Sequence, residues 1–180
     1  ALAAARRESG RINVGSTGIG SHGHLLLAQL EHSAGVRFNH VPFNPADSAL
    51  ALLRGEVPLL VDGLGFLIEP IRAGKARALG VMGPERRSAL PDVPTLAEQG
   101  IPGVDQPSWW MVIGPPRMAA ETVAQVHDAV VRMTENPDYR REVAEGLITK
   151  VFGPQELPEL VRREQALWAE VISRVGIKVT

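Results

Sequence analysis

The sequence predicts an α/β fold in which a mostly parallel sheet is flanked by helices. Two observations support this class. Short apolar runs alternate with helical segments along the first half of the chain, and a glycine-rich turn joins the first run to a long helix. A hydrophobic content of 44% over 180 residues is enough for one ordinary domain or two small lobes.

The first part of the chain alternates between strand and helix patterns. We expect strands at residues 11–14, 36–41, 57–61 and 77–82, and helices at 2–7, 21–34, 46–54 and 63–73. Glycine or proline stops most of these segments, as Gly35 stops the second helix and Pro42 the second strand. Asn44 is expected to cap the third helix, because Pro45 suits a first helical position.

A turn-rich stretch at residues 83–103 separates this region from the second half of the chain. Within it, Thr95 and Glu98 form a capping-box pattern, which predicts a short helix that Gly100 stops. An apolar run at 109–113 predicts one more strand.

The last part of the chain is predicted to be helical, and an internal boundary is expected near Gln106. Asn136 should cap a helix at 138–145, and a final helix at 155–175 should stop at Gly176. Two apolar stripes predict buried helix faces. They are Val123, Val126, Val130 and Met133, and then Leu157, Leu160, Val161, Leu167, Trp168, Val171, Ile172 and Val175.

The composition excludes several classes of function. Because the chain has 19 basic and 20 acidic residues, it lacks the excess of positive charge that would bind nucleic acid or an anionic membrane surface. The absence of Cys removes disulfides, thiolate nucleophiles and cysteine metal sites. The longest apolar run, residues 57–68, is shorter than the roughly 20 residues of a membrane span. Residues 1–8 are interpreted as a helix fragment and not as an export signal.

The glycine-rich turn allows three interpretations. Gly18, Gly20 and Gly23 fit the G-x-G-x-x-G pattern of dinucleotide binding, yet the second predicted strand ends without the acidic residue that would hold a ribose. Alternatively, amides at the helix start bind a carboxylate or another small anion. The plainer interpretation is a tight turn in which Ser16 or Ser21 only caps the helix.

No catalytic or metal-ligating residue is predicted. A serine-hydrolase elbow would need glycine two residues before its serine. That position is Ile19 for Ser21 and Val14 for Ser16. The five His lack the helical i, i+4 spacing of a zinc protease site. We therefore expect them at surface or capping positions, with one contributing a ligand hydrogen bond.

Two polar residues are expected at the carboxyl ends of strands, where ligands bind in open α/β sheets. Asp62 follows the third predicted strand and Asn44 the second, and each either contacts a ligand or caps the next helix. Trp109 and Trp110 could line a pocket, although large aromatic residues beside a strand more often belong to a core.

Several residue strings resemble one family, the tripartite tricarboxylate transporter receptors, also called Bug receptors. The strings are Asn-Val-Gly-Ser-Thr-Gly-Ile-Gly-Ser at 13–21, His-Val-Pro-Phe at 40–43, and the segments 74–81 and 86–100. The resemblance continues through 109–115 and 168–172 and so covers almost the whole chain.

This resemblance implies a type II periplasmic-binding fold whose two lobes close on a small carboxylate, with no catalysis and no cofactor. It implies a periplasmic location and membrane permease subunits as partners. The ligand could be succinate, citrate, an amino acid or an aromatic acid. By position, the ligand-binding residues would be Ser16, Thr17, Gly18, Gly20, Ser21, Asn44, Ala46 and Asp62.

Two departures from the family pattern modify these expectations. Residues 41–47 replace the usual Val-Pro-Tyr-Lys-Gly, losing a hydroxyl and a positive charge. Nothing matches the N-terminal part of the first lobe. We therefore expect a lead-in helix segment at 1–11, a complete second lobe at 12–105, and C-terminal helices of an incomplete first lobe at 106–180.

A chain organised in this way has consequences for assembly and function. Its C-terminal helices should pack on another chain, as in a homo-oligomer, or against the second lobe. The alternative function is a lapsed binding lobe that acts as a sensory or interaction module. An NAD-binding enzyme domain is a third interpretation, ranked below these two.

Overall fold

The structure of the chain is a computed structural model that describes residues 2–106, 108–142 and 150–177. Its strands are β1 (Asn13–Ser16), β2 (Asn39–Pro42) and β3 (Leu59–Leu60). Its helices are α1 (Leu2–Arg7), α2 (His22–Ala34), α3 (Ser48–Leu53), α4 (Leu64–Arg72), α5 (Ala120–Glu135), α6 (Pro137–Glu142) and α7 (Leu157–Val175). The described part of the chain contains no helix that is long and apolar enough to cross a membrane.

The three strands form one parallel sheet in the order β2-β1-β3. Val14 of β1 lies opposite His40 on one side and Leu59 on the other. Because the strands are parallel, their carboxyl ends meet at one edge of the sheet. The loops that come after β1, β2 and β3 therefore start from the same edge.

Helix α2 supplies much of the core beside this sheet. Its first turn is capped by Ser21, and Gly35 ends it in the left-handed conformation, as predicted. The buried apolar side chains of the first 104 residues include Val14, Leu25, Leu26, Leu27, Leu30, Val36, Ala51, Val57, Leu96, Ile101 and Val104. Burying a leucine such as Leu27 stabilises the fold by about 1.5–3 kcal/mol.

The chain divides into two compact units. The first comprises residues 1–86, 90–108 and 171–180, and it contains the sheet with α1 to α4. The second comprises residues 87–89 and 109–170, and it contains α5, α6 and most of α7. The predicted division at residues 11 and 105 stays a prediction.

Two strands are shorter than predicted because their backbone donors are used elsewhere or are missing. The amides of Val36 and Phe38 donate to the main chain and side chain of Glu31, so residues 36–38 cannot join the ladder. Pro58 has no backbone N–H, and the third strand accordingly begins at Leu59.

The strand predicted at residues 77–82 is wrong. Val81 makes a single parallel bridge to Thr95, through one hydrogen bond to the carbonyl of Pro94 and one from the amide of Leu96. The backbone of this segment therefore pairs with the turn-rich stretch and not with β3.

The strand predicted at residues 109–113 is also wrong, and so is the expectation that its tryptophans are core residues. Trp109 is 38% exposed and Trp110 is 93% exposed. The segment has no ladder partner among the residues that the structure describes. An apolar run forms a strand only where a neighbouring strand satisfies its backbone groups.

The predicted helix caps have mixed outcomes. Asn44 is not the cap of α3, since the helix begins at Ser48 after Asp47. Thr95 and Glu98 make both reciprocal bonds of a capping box, but residues 96–100 form turns and not an α-helix. Asn136 accepts hydrogen bonds from two amides of the first turn of α6, as predicted.

The C-terminal helices are confirmed where they are described. Helix α7 spans 19 residues and ends before Gly176, which has a φ of 71°. Residues 143–145 of the helix predicted at 138–145 and the side chain of Val175 lie outside the described residues. The predicted apolar face of α5 is only partly covered, since Val126 and Met133 are exposed.

Candidate functional site

The loop of residues 16–21 connects the central strand β1 to the N-terminus of α2. Gly18 and Gly20 have φ angles of 118° and 75°, which side chains with a Cβ rarely adopt. The amide of Ser21 donates to the carbonyl of Gly18 across this turn. The glycines are therefore required by the path of the backbone, and we call residues 16–21 the binding loop after the role predicted for them.

The first turn of α2 presents backbone donors at the end of the binding loop. Ser21 Oγ accepts a 3.2 Å hydrogen bond from the amide of His24 and so caps one of them. The other amides of a first helical turn have no partner within the helix, and the helix dipole adds a partial positive charge. Together they make this end of α2 suited to a carboxylate.

Ser16 holds the start of the binding loop in place. It is fully buried, and its hydroxyl lies 2.7 Å from His40 Nε2 and 3.2 Å from the carbonyl oxygen of Gly18. Ser21 Oγ is 3.4 Å away. Thr17 and Ser21 are partly exposed. Of the three predicted hydroxyls, these two are accessible from solvent, whereas Ser16 is occupied by contacts within the protein.

Two histidines meet beside Ser16, and the expectation of surface or capping positions is wrong for both. The rings of His24 and His40 stack with centroids 3.9 Å apart and planes at 9°. His24 Nδ1 also accepts a 3.1 Å hydrogen bond from the amide of Gly20. The pair is part of the support of the binding loop.

Burial lowers the pKa of both histidines. For His40, burial first and then the neighbouring His24 lower the pKa from 6.5 to about 4. For His24, burial lowers the pKa, and the charge of Glu31 opposes the change. Both rings are therefore neutral at neutral pH.

The sequence contained a signal for this pair, but only in combination with the strand register. His40 lies opposite Val14 in the sheet, and Ser16 is two residues further along β1. Side chains two apart on a strand point to the same face, so His40 and Ser16 share one face. The third histidine nearby, His22, contacts the carbonyl of Gln106 instead.

The other predicted residues lie after β2 and β3. Asn44 and Ala46 are exposed in the turn before α3, where the carbonyl of Asn44 accepts from Asp47 and Ser48. Asp62 comes after β3, and its carboxylate accepts a 2.6 Å bond from Ser48 Oγ and a 2.7 Å bond from the amide of Gly63. The ligand roles of these residues stay predictions.

The third glycine of the G-x-G-x-x-G pattern has a packing role. A Cβ on Gly23 would lie 2.7 Å from the carbonyl oxygen of Val61. Close packing of a helix on a strand therefore accounts for this glycine without a nucleotide. Strand β2 ends in Val41 and Pro42, which offer no carboxylate to a ribose.

Two further features bear on the chemistry of the first unit. A cavity of about 390 Å³ lies at the C-terminal end of α2, lined by residues such as Ala28, Glu31 and Gly35, and it contains none of the predicted ligand residues. No group of three or more His, Asp or Glu in the described ranges could hold a metal ion.

Similarity to known proteins extends over nearly the whole chain. Residues 1–177 match the family model described as "Tripartite tricarboxylate transporter family receptor". The chain is 31% identical to the UPF0065 protein in the tcbD-tcbE intergenic region of Pseudomonas sp. (strain P51). It is 32% identical to the UPF0065 protein in the gbd 5' region of Cupriavidus necator. These alignments cover 95% and 98% of this chain but 52% and 54% of the relatives, so it spans about half of their length.

Solved structures share the fold. An R. palustris protein with adipate superposes with a TM-score of 0.90 at 28% identity, over 98% of this chain and 60% of that one. MatC from Rhodopseudomonas palustris with bound malate gives a TM-score of 0.76 at 27% identity, over 95% of this chain and 60% of that one. The predicted α/β fold of the periplasmic-binding-protein type is confirmed, and the chain belongs to the tripartite tricarboxylate transporter receptor family.

Proposed function

We propose that this chain forms part of a periplasmic receptor that binds a small carboxylate, catalyses no reaction and delivers its ligand to membrane permease subunits. The observation that carries the proposal is the binding loop, where glycine-dependent turns and two accessible hydroxyls lead into the N-terminus of α2. The relatives solved with adipate and malate support a carboxylate as the ligand.

The groups of the proposed site have different parts in binding. Amides of Gly18 and the first turn of α2 donate to a carboxylate, together with the hydroxyls of Thr17 and Ser21. The amide of Gly20 already donates to His24 Nδ1, so Gly20 contributes through the path of the loop. Ser16 acts through the loop that it supports. No positive side chain is needed, because aligned amides and the helix dipole supply the attraction.

The residues after β2 and β3 suit a second, polar part of the ligand. Asn44, with Ala46 beside it, is exposed and has an amide donor in its side chain. The carboxylate of Asp62 would repel a carboxylate, so its proposed partner is a ligand hydroxyl such as that of malate.

Calorimetric titration against malate, adipate, succinate and citrate tests the proposal. We expect saturable binding of at least one acid, and a loss of about fivefold or more in affinity for Thr17→Val, which removes one donor but keeps the shape. Ser33→Ala, at an exposed position near the other end of α2, is the matched control and should bind as the unaltered chain does. Failure of every acid to bind a folded chain would overturn the proposal.

An interaction module is the second candidate, and one observation in the second unit favours it. Trp110, Val112 and Ile113 are 93%, 69% and 84% exposed in one short segment. An apolar segment of this kind is typical of surfaces that associate. Light scattering during size exclusion checks it: a stable dimer that dissociates on Trp110→Ser and Ile113→Ser substitution, without carboxylate binding, would support this function instead.

A further inference from the structure

The hydrogen bond between Gly20 and His24 fixes the protonation state of a side chain under the binding loop. A backbone amide can only donate, so His24 Nδ1 must carry a lone pair to accept the 3.1 Å bond. His24 is then neutral, with its proton on Nε2. A second proton on the ring would occupy Nδ1 and break the bond.

The stacked ring of His40 helps to remove His24 from water, and this burial disfavours the same protonation. A charge on His24 would lie against the ring of His40, whose centroid is 3.9 Å away. Glu31 on α2 is the charged group that favours protonation of His24, while burial opposes it. The other polar contacts of the pair are made by the hydroxyl of Ser16 on β1 and the amide of Gly20.

The binding loop depends on these contacts for its shape. With glycine at positions 18 and 20, the backbone itself has little preference for the observed path. The loop is held by Ser16 at its start, by the Gly20–His24 bond in its middle and by the Ser21 cap at its end. Losing the middle contact would leave Gly20 and its neighbours without a fixed orientation.

We propose that His24 is a positioning residue that holds the binding loop in its ligand-binding conformation only while its imidazole ring is neutral, with the stacked ring of His40 disfavouring its protonation. Acidification therefore releases the loop and weakens carboxylate binding. This inference rests on the proposed function for its effect on affinity, but the contact between His24 and the loop can be measured without any ligand.

Amide exchange of Gly20, followed by NMR as a protection factor corrected for intrinsic rate, measures the contact directly. In the unaltered chain we expect protection to fall by about fivefold or more between about pH 7.5 and about pH 4.5. His24→Asn places an amide oxygen near the position of Nδ1 and cannot take up a proton, so it should keep Gly20 protected throughout. His24→Leu should leave Gly20 exchanging rapidly at both pH values.

Carboxylate titration of the same variants extends the test to binding. Because a ligand carboxyl can itself titrate, the measured quantity is the affinity of His24→Asn divided by that of the unaltered chain. This ratio should be near one at about pH 7.5 and rise about fivefold at about pH 4.5. His40→Gln keeps a hydrogen-bonding group near Ser16 Oγ and removes the charge that a protonated His40 would carry beside His24. The pH at which binding is lost should therefore differ from that of the unaltered chain.

The outcomes separate the two proposals. Gly20 protection that is the same in all variants, or tighter binding by the unaltered chain on acidification, would overturn the role of the histidine pair. If no acid binds while Gly20 protection follows the expected pattern, the proposed function fails and the histidine contact stands. Circular dichroism at each pH establishes that the chain is folded when these values are taken.

Discussion

Ser48 Oγ donates a 2.6 Å hydrogen bond to Asp62 Oδ2. The bond joins the first residue of α3 to the segment after β3, and the second carboxylate oxygen accepts from the amide of Gly63 at 2.7 Å. Ser48 is fully buried. The two elements on either side of the candidate site are therefore connected through one carboxylate.

Replacing Ser48 by Ala should destabilise the fold by about 1–3 kcal/mol, because a carboxylate oxygen of Asp62 would lose a buried partner. The measurement is the free energy of unfolding from urea denaturation. A double-mutant cycle with Asp62→Ala is the control, since the two residues act through one bond. If the effects of Ser48→Ala and Asp62→Ala simply add, the bond does not couple these elements.

Replacing Gly23 by Ala should lower the free energy of unfolding by about 1–3 kcal/mol, because the new Cβ would lie 2.7 Å from the carbonyl oxygen of Val61. Backbone atoms cannot move away as cheaply as a flexible side chain can. Gly63→Ala is the matched control, since its Cβ would meet Phe66 at an ordinary 3.7 Å. Equal stability of the two variants would show that α2 and the end of β3 are not closely packed at this point.

The free energy of unfolding should decrease as the pH falls from about 6.5 to about 4. The pKa of His40 is 6.5 when unfolded and about 4 in the folded chain, so between these values the unfolded chain binds a proton that the folded chain does not. The lowered pKa of His24 acts in the same direction. Carboxyl groups with lowered pKa values, such as Glu98, contribute below their ordinary 4.5.

Urea denaturation at a series of pH values checks this dependence. His40→Gln should flatten the curve between about pH 6.5 and about pH 4.5, because it removes the titrating group and keeps a hydrogen-bonding group near Ser16. An unchanged slope in His40→Gln would mean that other groups produce the effect.

The sequence predicted the elements that local patterns specify. The stop at Gly35 was predicted correctly, and the cap at Ser21 is one of the two serines considered for that role, because both features act through bonds to residues nearby in the chain. The strand at 109–113 failed for the opposite reason, since strand formation depends on a neighbour that no local pattern reveals. The same limit applied to the site: the binding loop was readable from its glycines, whereas the contact between His24 and His40 depends on strand register.

Substitutions at Ser21 separate its capping role from its proposed contact with the ligand. Ser21→Asp should keep the fold within about 0.5 kcal/mol, because Asp is as good an N-cap as Ser and its charge suits the helix dipole. Ser21→Ala should cost about 1 kcal/mol through loss of the cap. Urea denaturation measures both values.

The order of these variants in carboxylate affinity should differ from their order in the free energy of unfolding. Ser21→Asp would place a negative charge where the ligand carboxylate is proposed to lie, and affinity should fall by about tenfold or more. Ser21→Asn is the matched control, since it has the same shape and capping ability without the charge, and it should retain most of the affinity. Because the Asp variant would be stable yet bind poorly, equal binding by the Asp and Asn variants in calorimetry would rule out the N-terminus of α2 as the carboxylate site.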